Sequence, residues 1–459
     1  MAKKNKARRN RAKQLAGAET ASQDRPAPGN SVLLGLAVVI PIATWLVHPW
    51  VLPQGSLPEE HRPPTAWKGA EGDQFSKSPL GFKQQPIGPA PKHLPQISNV
   101  QILDFDEDGL QDVIACDPQT NRVLWYRQGP VGTWEEQVLG EDLLAPAHAT
   151  VADVDQDGDR DVVVSILGNI FPDDSVIGQV VLLENVDGQF KRHLLLNDVR
   201  RVADVQVGDL DGDGDLDMAV AVFGYSRGQV LWLENHGEFR YEPHELFYAA
   251  GTIHVPLEDY DGDGDLDIAT VVSQEQEEVL AFENLGSGKF RKRSLFSTIN
   301  YDIGSAGLVK TDLDRDGDFD FLLPVGDNFE DLTSVPLPYH GCFWLENRGD
   351  WDFAAQRIAT FNGTYAASAG DLDADGDTDV VLVSMFNAFE TEGNASVVWL
   401  ENDGQQQFRT WQVADRPIHL ITVACGDLDG DGREDIVAGG FNVQYPTERL
   451  GRITAWIGK

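Results

Sequence analysis

Beyond residue 95 the chain repeats one pattern of apolar and polar positions. Each unit has about eight residues that read as a strand, then a tight acidic string, then an apolar run such as DMAVAVF from Asp217. A third segment follows, seen as VVLLENVDGQF from Val180, VLWLENHGEF from Val230, VLAFENLGSGKF from Val279, FWLENRGDWDF from Phe343 and VVWLENDGQQQF from Val397. A segment that opens on Phe, such as FKRHLLL or FRKRSLF, closes the unit. Short apolar or alternating runs bounded by Asp, Gly and Asn predict strands. The acidic string occurs seven times, with starts 49 to 59 residues apart, which is room for four short strands and their turns. Repetition on that scale predicts an all-β fold, a seven-bladed β-propeller over residues 82–459, and suits a seven-turn solenoid less well. Closing the ring removes the long free edges of an open sheet. The last unit, ending at Arg452–Lys459, lacks a fourth strand, while Phe82–Ile87 (FKQQPI) resembles one and precedes the first unit. It is expected to complete the seventh blade.

The acidic strings have the form Asp-x-Asp-x-Asp-Gly-x-x-Asp. Their carboxylates are Asp104, Asp106, Asp108 and Asp112; Asp153, Asp155, Asp157 and Asp161; Asp209, Asp211, Asp213 and Asp217; Asp259, Asp261, Asp263 and Asp267; Asp312, Asp314, Asp316 and Asp320; Asp371, Asp373, Asp375 and Asp379; and Asp427, Asp429, Asp431 and Asp435. Carboxylates at positions 1, 3, 5 and 9, a turn glycine at 6 and a main-chain carbonyl at 7 surround a hard cation with oxygen, which is calcium chemistry. The twelfth position, Glu in an EF-hand, is Ala115, Val164, Val220, Thr270, Leu323, Leu382 or Ala438, so that motif is excluded. Metal-free Asp-Gly hairpins would have to hold 28 carboxylates in seven tight loops against like-charge repulsion. Up to seven structural Ca²⁺ are expected, coupled to folding.

These loops, with the WLEN strands, resemble the FG-GAP/VCBS-type repeats of integrin α-chain propellers and of many bacterial surface proteins. The resemblance spans roughly Phe82 to Lys459. It implies a seven-bladed propeller with calcium in the loops between first and second strands, on the bottom face. It implies little about activity, because such propellers serve as adhesion modules, as scaffolds and in some carbohydrate lyases and dehydratases.

The N-terminus is of another kind. Residues 1–30 contain Lys3, Lys4, Lys6, Arg8, Arg9, Arg11, Lys13 and Arg25 against Glu19 and Asp24, and Ser31 to Leu52 has no charged residue. That apolar length approaches the roughly 20 residues needed to cross a bilayer. A single transmembrane signal anchor over 31–52 is expected, with 1–30 cytoplasmic and the propeller outside, periplasmic or on the cell surface. A cleaved signal peptide is the alternative, opposed by the long basic region and the absence of an A-x-A-like site. Residues 53–81, rich in Pro and Gly, read as a stalk.

The formal charge of -38 excludes a nucleic-acid partner. Cys116, Cys342 and Cys425 are too few for a disulfide framework or zinc site and read as small buried apolar residues, with a Cys116–Cys425 pair the alternative. Five residues before each acidic string, at the mouth of the central channel on the top face, stand Asn99, His148, Asp204, His254, Gly307, Ala366 and Thr422. His148, Asp204 and His254 are the candidate catalytic or metal-binding residues, with channel-lining polar groups as the plain alternative. Arg201 and His419 are expected to enlarge that mouth. Long loops from Gly168, Val325, Ser384 and Gly439 offer Phe171, Tyr339, Phe386, Phe389, Phe441 and Tyr445 to a ligand, or pack them over the propeller. The G-x-S-x-G string Gly224–Gly228 falls between propeller strands and lacks the strand-to-helix elbow of a hydrolase. The reading is a membrane-anchored calcium-binding propeller that binds an extracytoplasmic protein or glycan. A carbohydrate lyase or dehydratase is the alternative, and a structural envelope role a third.

Overall fold

The computed structural model describes residues 72–459 apart from 131, 172, 275–276, 301, 328 and 330–336. The expected cytoplasmic segment, the anchor over 31–52 and the stalk up to residue 71 lie outside the described residues. Among those described, no helix is long and apolar enough to cross a membrane.

Seven antiparallel sheets form seven blades. Blade 1 runs from Asn99–Leu103 to Thr133–Gly140, blade 2 from Pro146–Ala152 to Gln189–Val199 and blade 3 from Val202–Gly208 to Tyr241–Tyr248. Blade 4 runs from Thr252–His254 to Phe290–Thr298, blade 5 from Val309–Thr311 to Phe353–Thr360 and blade 6 from Thr364–Gly370 to Phe408–Ala414. Blade 7 takes three strands from the C-terminus, Leu420–Gly426, Asp435–Gly440 and Ile453–Gly458, and its fourth from Phe82–Pro86. The expected closure is therefore observed, in the register Phe82↔Gly458 to Pro86↔Thr454.

The second strands explain why the sequence folds this way. All seven, from Asp112–Asp117 to Asp435–Gly440, are buried at every position, because each is covered on both faces by a neighbouring blade. Continuous apolar runs suit that environment, whereas outer strands such as Phe290–Thr298 keep exposed charges between half-buried residues. Seven separate apolar clusters result, one between each pair of adjacent blades. All three cysteines are free, so the Cys116–Cys425 alternative is not realised.

The chain makes a second attachment ahead of the closing strand, in residues counted above with the stalk. Asp73 donates its N–H to Asn387 Oδ1 (2.7 Å) and its carbonyl accepts from Ala395 N and Asn387 Nδ2. Its carboxylate accepts from Asn362 N (2.8 Å). Ser76 and Ser78 then pair with Gln412 on the outer strand of blade 6. Across the seam between blades 7 and 1, Arg452 bonds Asp117 (2.9 Å) and Glu136 (2.6 Å).

If the closing strand holds the ring, replacing half-buried Phe82 and fully buried Ile87 together by Asp should lower the melting temperature by about 5 °C or more in differential scanning calorimetry. An unchanged transition would show that blade 7 closes without it.

Candidate functional site

Each acidic loop joins a first to a second strand, so all seven lie on one face. The glycine at position 6 has φ of 88° to 99° in every loop, a conformation that side chains resist. Position 4 is also left-handed, at φ near 60° for Glu107, Gln156, Arg315 and Ala374 and higher for Gly212, Gly262 and Gly430. The glycines at three of these seven positions were the available sequence signal for it.

Hydrogen bonds to two aspartates set the loop. One oxygen of the first accepts the position-6 N–H in all seven, from Gly109 at 2.9 Å to Gly317 at 3.2 Å. The ninth aspartate opens the second strand, is at most 2% exposed, and receives two main-chain donors. Its Oδ2 accepts from position 2, namely Phe105, Val154, Leu210, Tyr260, Leu313, Leu372 or Leu428. Its Oδ1 accepts from the end of the third strand, namely Gln128, Asn185, Asn235, Asn284, Asn347, Asn402 or Gly458, at 2.7 to 2.9 Å. That donor is main-chain. The Asn of the WLEN string, whose part was not read from the sequence, is accounted for by its side chain, whose Nδ2 donates to the carbonyl just before the ninth aspartate in blades 2 to 6. Its side chain also staples blades together: Asn284 Nδ2 donates to Leu210 O of blade 3 (2.8 Å) and Asn347 Nδ2 to Tyr260 O of blade 4 (3.0 Å). Gln128 Nε2 does the same to Leu428 O across the seam (2.8 Å).

The donor set fits a hard cation. In blades 1, 4 and 5 oxygens of positions 1, 3 and 5 lie within 4.8 Å of one another, and in blades 2 and 3 those of positions 1, 3 and 9 do so. Asp312 Oδ1 and Asp371 Oδ1 are buried without a hydrogen-bond partner, which a cation would supply. Burial, partly offset by the N–H donors, pushes Asp267, Asp320 and Asp379 up to about 7 and Asp161, Asp217 and Asp435 to about 6. Positive charge at the loop would hold them ionised.

On the opposite face the structure brings His148, Asp204 and His254 together. His148 Nδ1 is 3.1 Å from Asp204 Oδ1, and His254 Nδ1 is 3.6 Å from Oδ2. Each of the three follows a register shift near the start of its first strand, as Ala366 and Thr422 do in blades 6 and 7, a feature that spacing alone did not reveal. Asp204 is 2% exposed and also accepts from Gln206 Nε2 and Val255 N, each at 3.0 Å. Burial would raise its carboxyl, but His148, His254 and the Val255 N–H outweigh that and hold it well below the usual carboxylate range. Burial lowers His148 against the pull of Asp204. An anionic carboxylate between two imidazoles is an arrangement suited to proton transfer or to fixing a polar ligand.

Asn99, at 9% exposure, and Thr422, at 7%, are buried and bonded within the ring, to Gln101 and Val100 respectively. Arg201 and His419 do not widen the mouth. Arg201 is buried, donates to Asn169 O and Ile170 O, and lies over Phe223. His419 is buried with its ring nitrogens against Met385 O and Pro446 O. Both fasten loops because apolar surroundings demand partners for their polar atoms. Phe386 and Phe389 are likewise buried at 2% exposure, while Phe171 at 62% and Tyr445 at 82% project into solvent. Tyr339 and Phe441 are half-buried. Ser226 of the G-x-S-x-G string bonds Asp174, tying the top loops of blades 2 and 3.

Two substitutions separate scaffold from cation site. Asp320→Ala strands two buried N–H groups and should cost about 3 kcal/mol or more with or without calcium. Asp314→Asn, in the outer part of the same loop, should lower stability only when calcium is present. Urea titrations at both conditions measure the difference, and equal losses for the two variants would refute the division.

Comparison with known proteins agrees with this geometry at the level of fold and repeat. The chain is similar to a chain in the crystal structure of BBS1N in complex with ARL6DN, at 9% identity and TM-score 0.51, over 83% of this chain and 97% of that one. It is similar to the structure of streptogramin B lyase at 14% identity and TM-score 0.51, over 82% and 98%. No curated protein matches its sequence. The FG-GAP-like repeat family matches residues 104–164, 209–270, 259–323 and 371–438. With these matches covering over half of the chain, and each beginning at the first aspartate of an acidic loop, the protein belongs to the FG-GAP-like repeat family.

Proposed function

We propose that this protein is a membrane-anchored, extracytoplasmic, calcium-binding propeller whose top face binds a protein or glycan. The observation that carries the reading is the contrast between the two faces. The bottom repeats one acidic loop seven times, which suits a shared structural cation. The top differs from blade to blade and leaves Phe171, Tyr225 and Tyr445 exposed on loops fixed by Arg201, His419 and the Ser226–Asp174 link. Exposed aromatics on rigid loops suit recognition, because little side-chain entropy is lost on binding. The uncharged stretch Ser31–Leu52 behind a basic segment supports the anchor.

The close approach of His148, Asp204 and His254 favours one alternative, a lyase or dehydratase acting on carbohydrate at the channel mouth. A single experiment distinguishes the two. The protein in calcium is incubated with a panel of oligosaccharides and of envelope proteins, with products read by mass spectrometry and binding by thermal shift. The binding reading expects a shift without products, weakened by Phe171→Ala or Tyr445→Ala. New products abolished by His148→Ala in a folded variant would establish the enzyme and overturn it.

A further inference from the structure

The seven acidic loops are not electrostatically equal. In blades 2 to 6 the residue before the third-strand Asn is Glu184, Glu234, Glu283, Glu346 or Glu401, the first four already paired with basic or histidine side chains of their own blades. Loop position 7 in these blades is Asp159, Asp215, Asp265, Asp318 or Asp377. Blades 1 and 7 have neither. Their corresponding residues are Arg127 and Leu110 in blade 1, Ile457 and Arg433 in blade 7. The register is secure, because Gln128 and Gly458, the residues after Arg127 and Ile457, make the same bond to the ninth aspartate as the Asn of the other blades.

Both arginines lie on the carboxylates of their own loops. Arg127 places Nε 2.5 Å from Asp106 Oδ2 and Nη2 2.9 Å from Asp108 Oδ2, engaging positions 3 and 5 of loop 1. Arg160 adds a second guanidinium there, on Asp104 O and 3.6 Å from Glu107. Arg433 places Nη2 2.7 Å from Asp431 Oδ2 at position 5 of loop 7 and bonds Lys459 O with Nη1 (2.9 Å). Blades 7 and 1 are also the neighbours on either side of the seam that Phe82–Pro86 closes.

We infer that the calcium sites fall into two classes: five strong sites in blades 2 to 6, and two seam loops that Arg127 and Arg433 neutralise from within and that bind calcium weakly. This rests on the calcium reading proposed above. A fixed positive charge on the ligand carboxylates repels the ion and occupies its oxygens, and affinity in such loops follows the number of ligand charges. The two blades beside the ring's closure then draw less stability from the ion than the other five.

The test is equilibrium dialysis of the full chain against calcium, with bound metal counted by mass spectrometry. Five ions should bind in a first phase, and the remaining two only at about tenfold or more higher free calcium. Arg127→Glu should move a sixth ion into the first phase, and Arg127→Gln should do so partially. Far-UV circular dichroism checks that the variants fold, and the wild-type count stands independently of them. Seven ions in one phase, or an Arg127→Glu profile like the wild type, would overturn the two-class inference while leaving calcium binding intact. A chain that binds no calcium would overturn the calcium reading itself.

Discussion

The structure depends on one buried carboxylate repeated seven times. The ninth aspartate of each loop sits where the loop, the second strand and the end of the third strand meet, and its oxygens accept a main-chain N–H from both of the others. Those donors face away from water, and without the carboxylate they would be unpaired at a cost of roughly 1–3 kcal/mol each. The bond fixes where the loop begins to turn, which places the first aspartate to receive the position-6 amide. It also sets the third strand so that Asn284 and Asn347 reach the preceding blade. A local constraint thereby becomes a contact around the ring.

That constraint explains why the two faces have diverged. Every bottom loop must satisfy the same buried groups, so its sequence repeats closely. No comparable requirement acts on the top, where the loops between second and third strands vary in length and are fastened case by case, by Arg201 in one place and His419 in another. His148 and His254 meet Asp204 at register shifts in the first strands, while the second strands beneath stay buried throughout. Loop variation on a repeated scaffold suits a fold that supports unrelated functions through its loops.

Much of this was legible in the sequence because it recurs. The repeat spacing revealed the blades, and the missing fourth strand of the last unit pointed to Phe82–Ile87. The His148, Asp204 and His254 positions followed from counting back from each loop. Features that depend on a single tertiary environment were not legible. Phe386 and Phe389 belong to the same kind of aromatic loop as Phe171, yet they pack inward, which only neighbouring blades decide. Asp73 looks like part of a proline-rich linker, and its role appears only when Asn387, Asn394 and Asn362 are gathered around it and its neighbour Gln74. The ninth aspartate was read as one ligand among four, since its main-chain hydrogen-bonding partners lie seven residues before it and sixteen or more after it.

Amide hydrogen exchange tests the central claim most directly. The N–H groups of Tyr260, Leu313 and Leu372 belong to acidic loops but are bonded to buried ninth aspartates. They should exchange as slowly as the second-strand core, through opening of the fold as a whole. Exchange at the rate of the exposed loop amides of Asp263 and Asp316 would contradict the account, because the carboxylate would then not be what holds the loop to the blade.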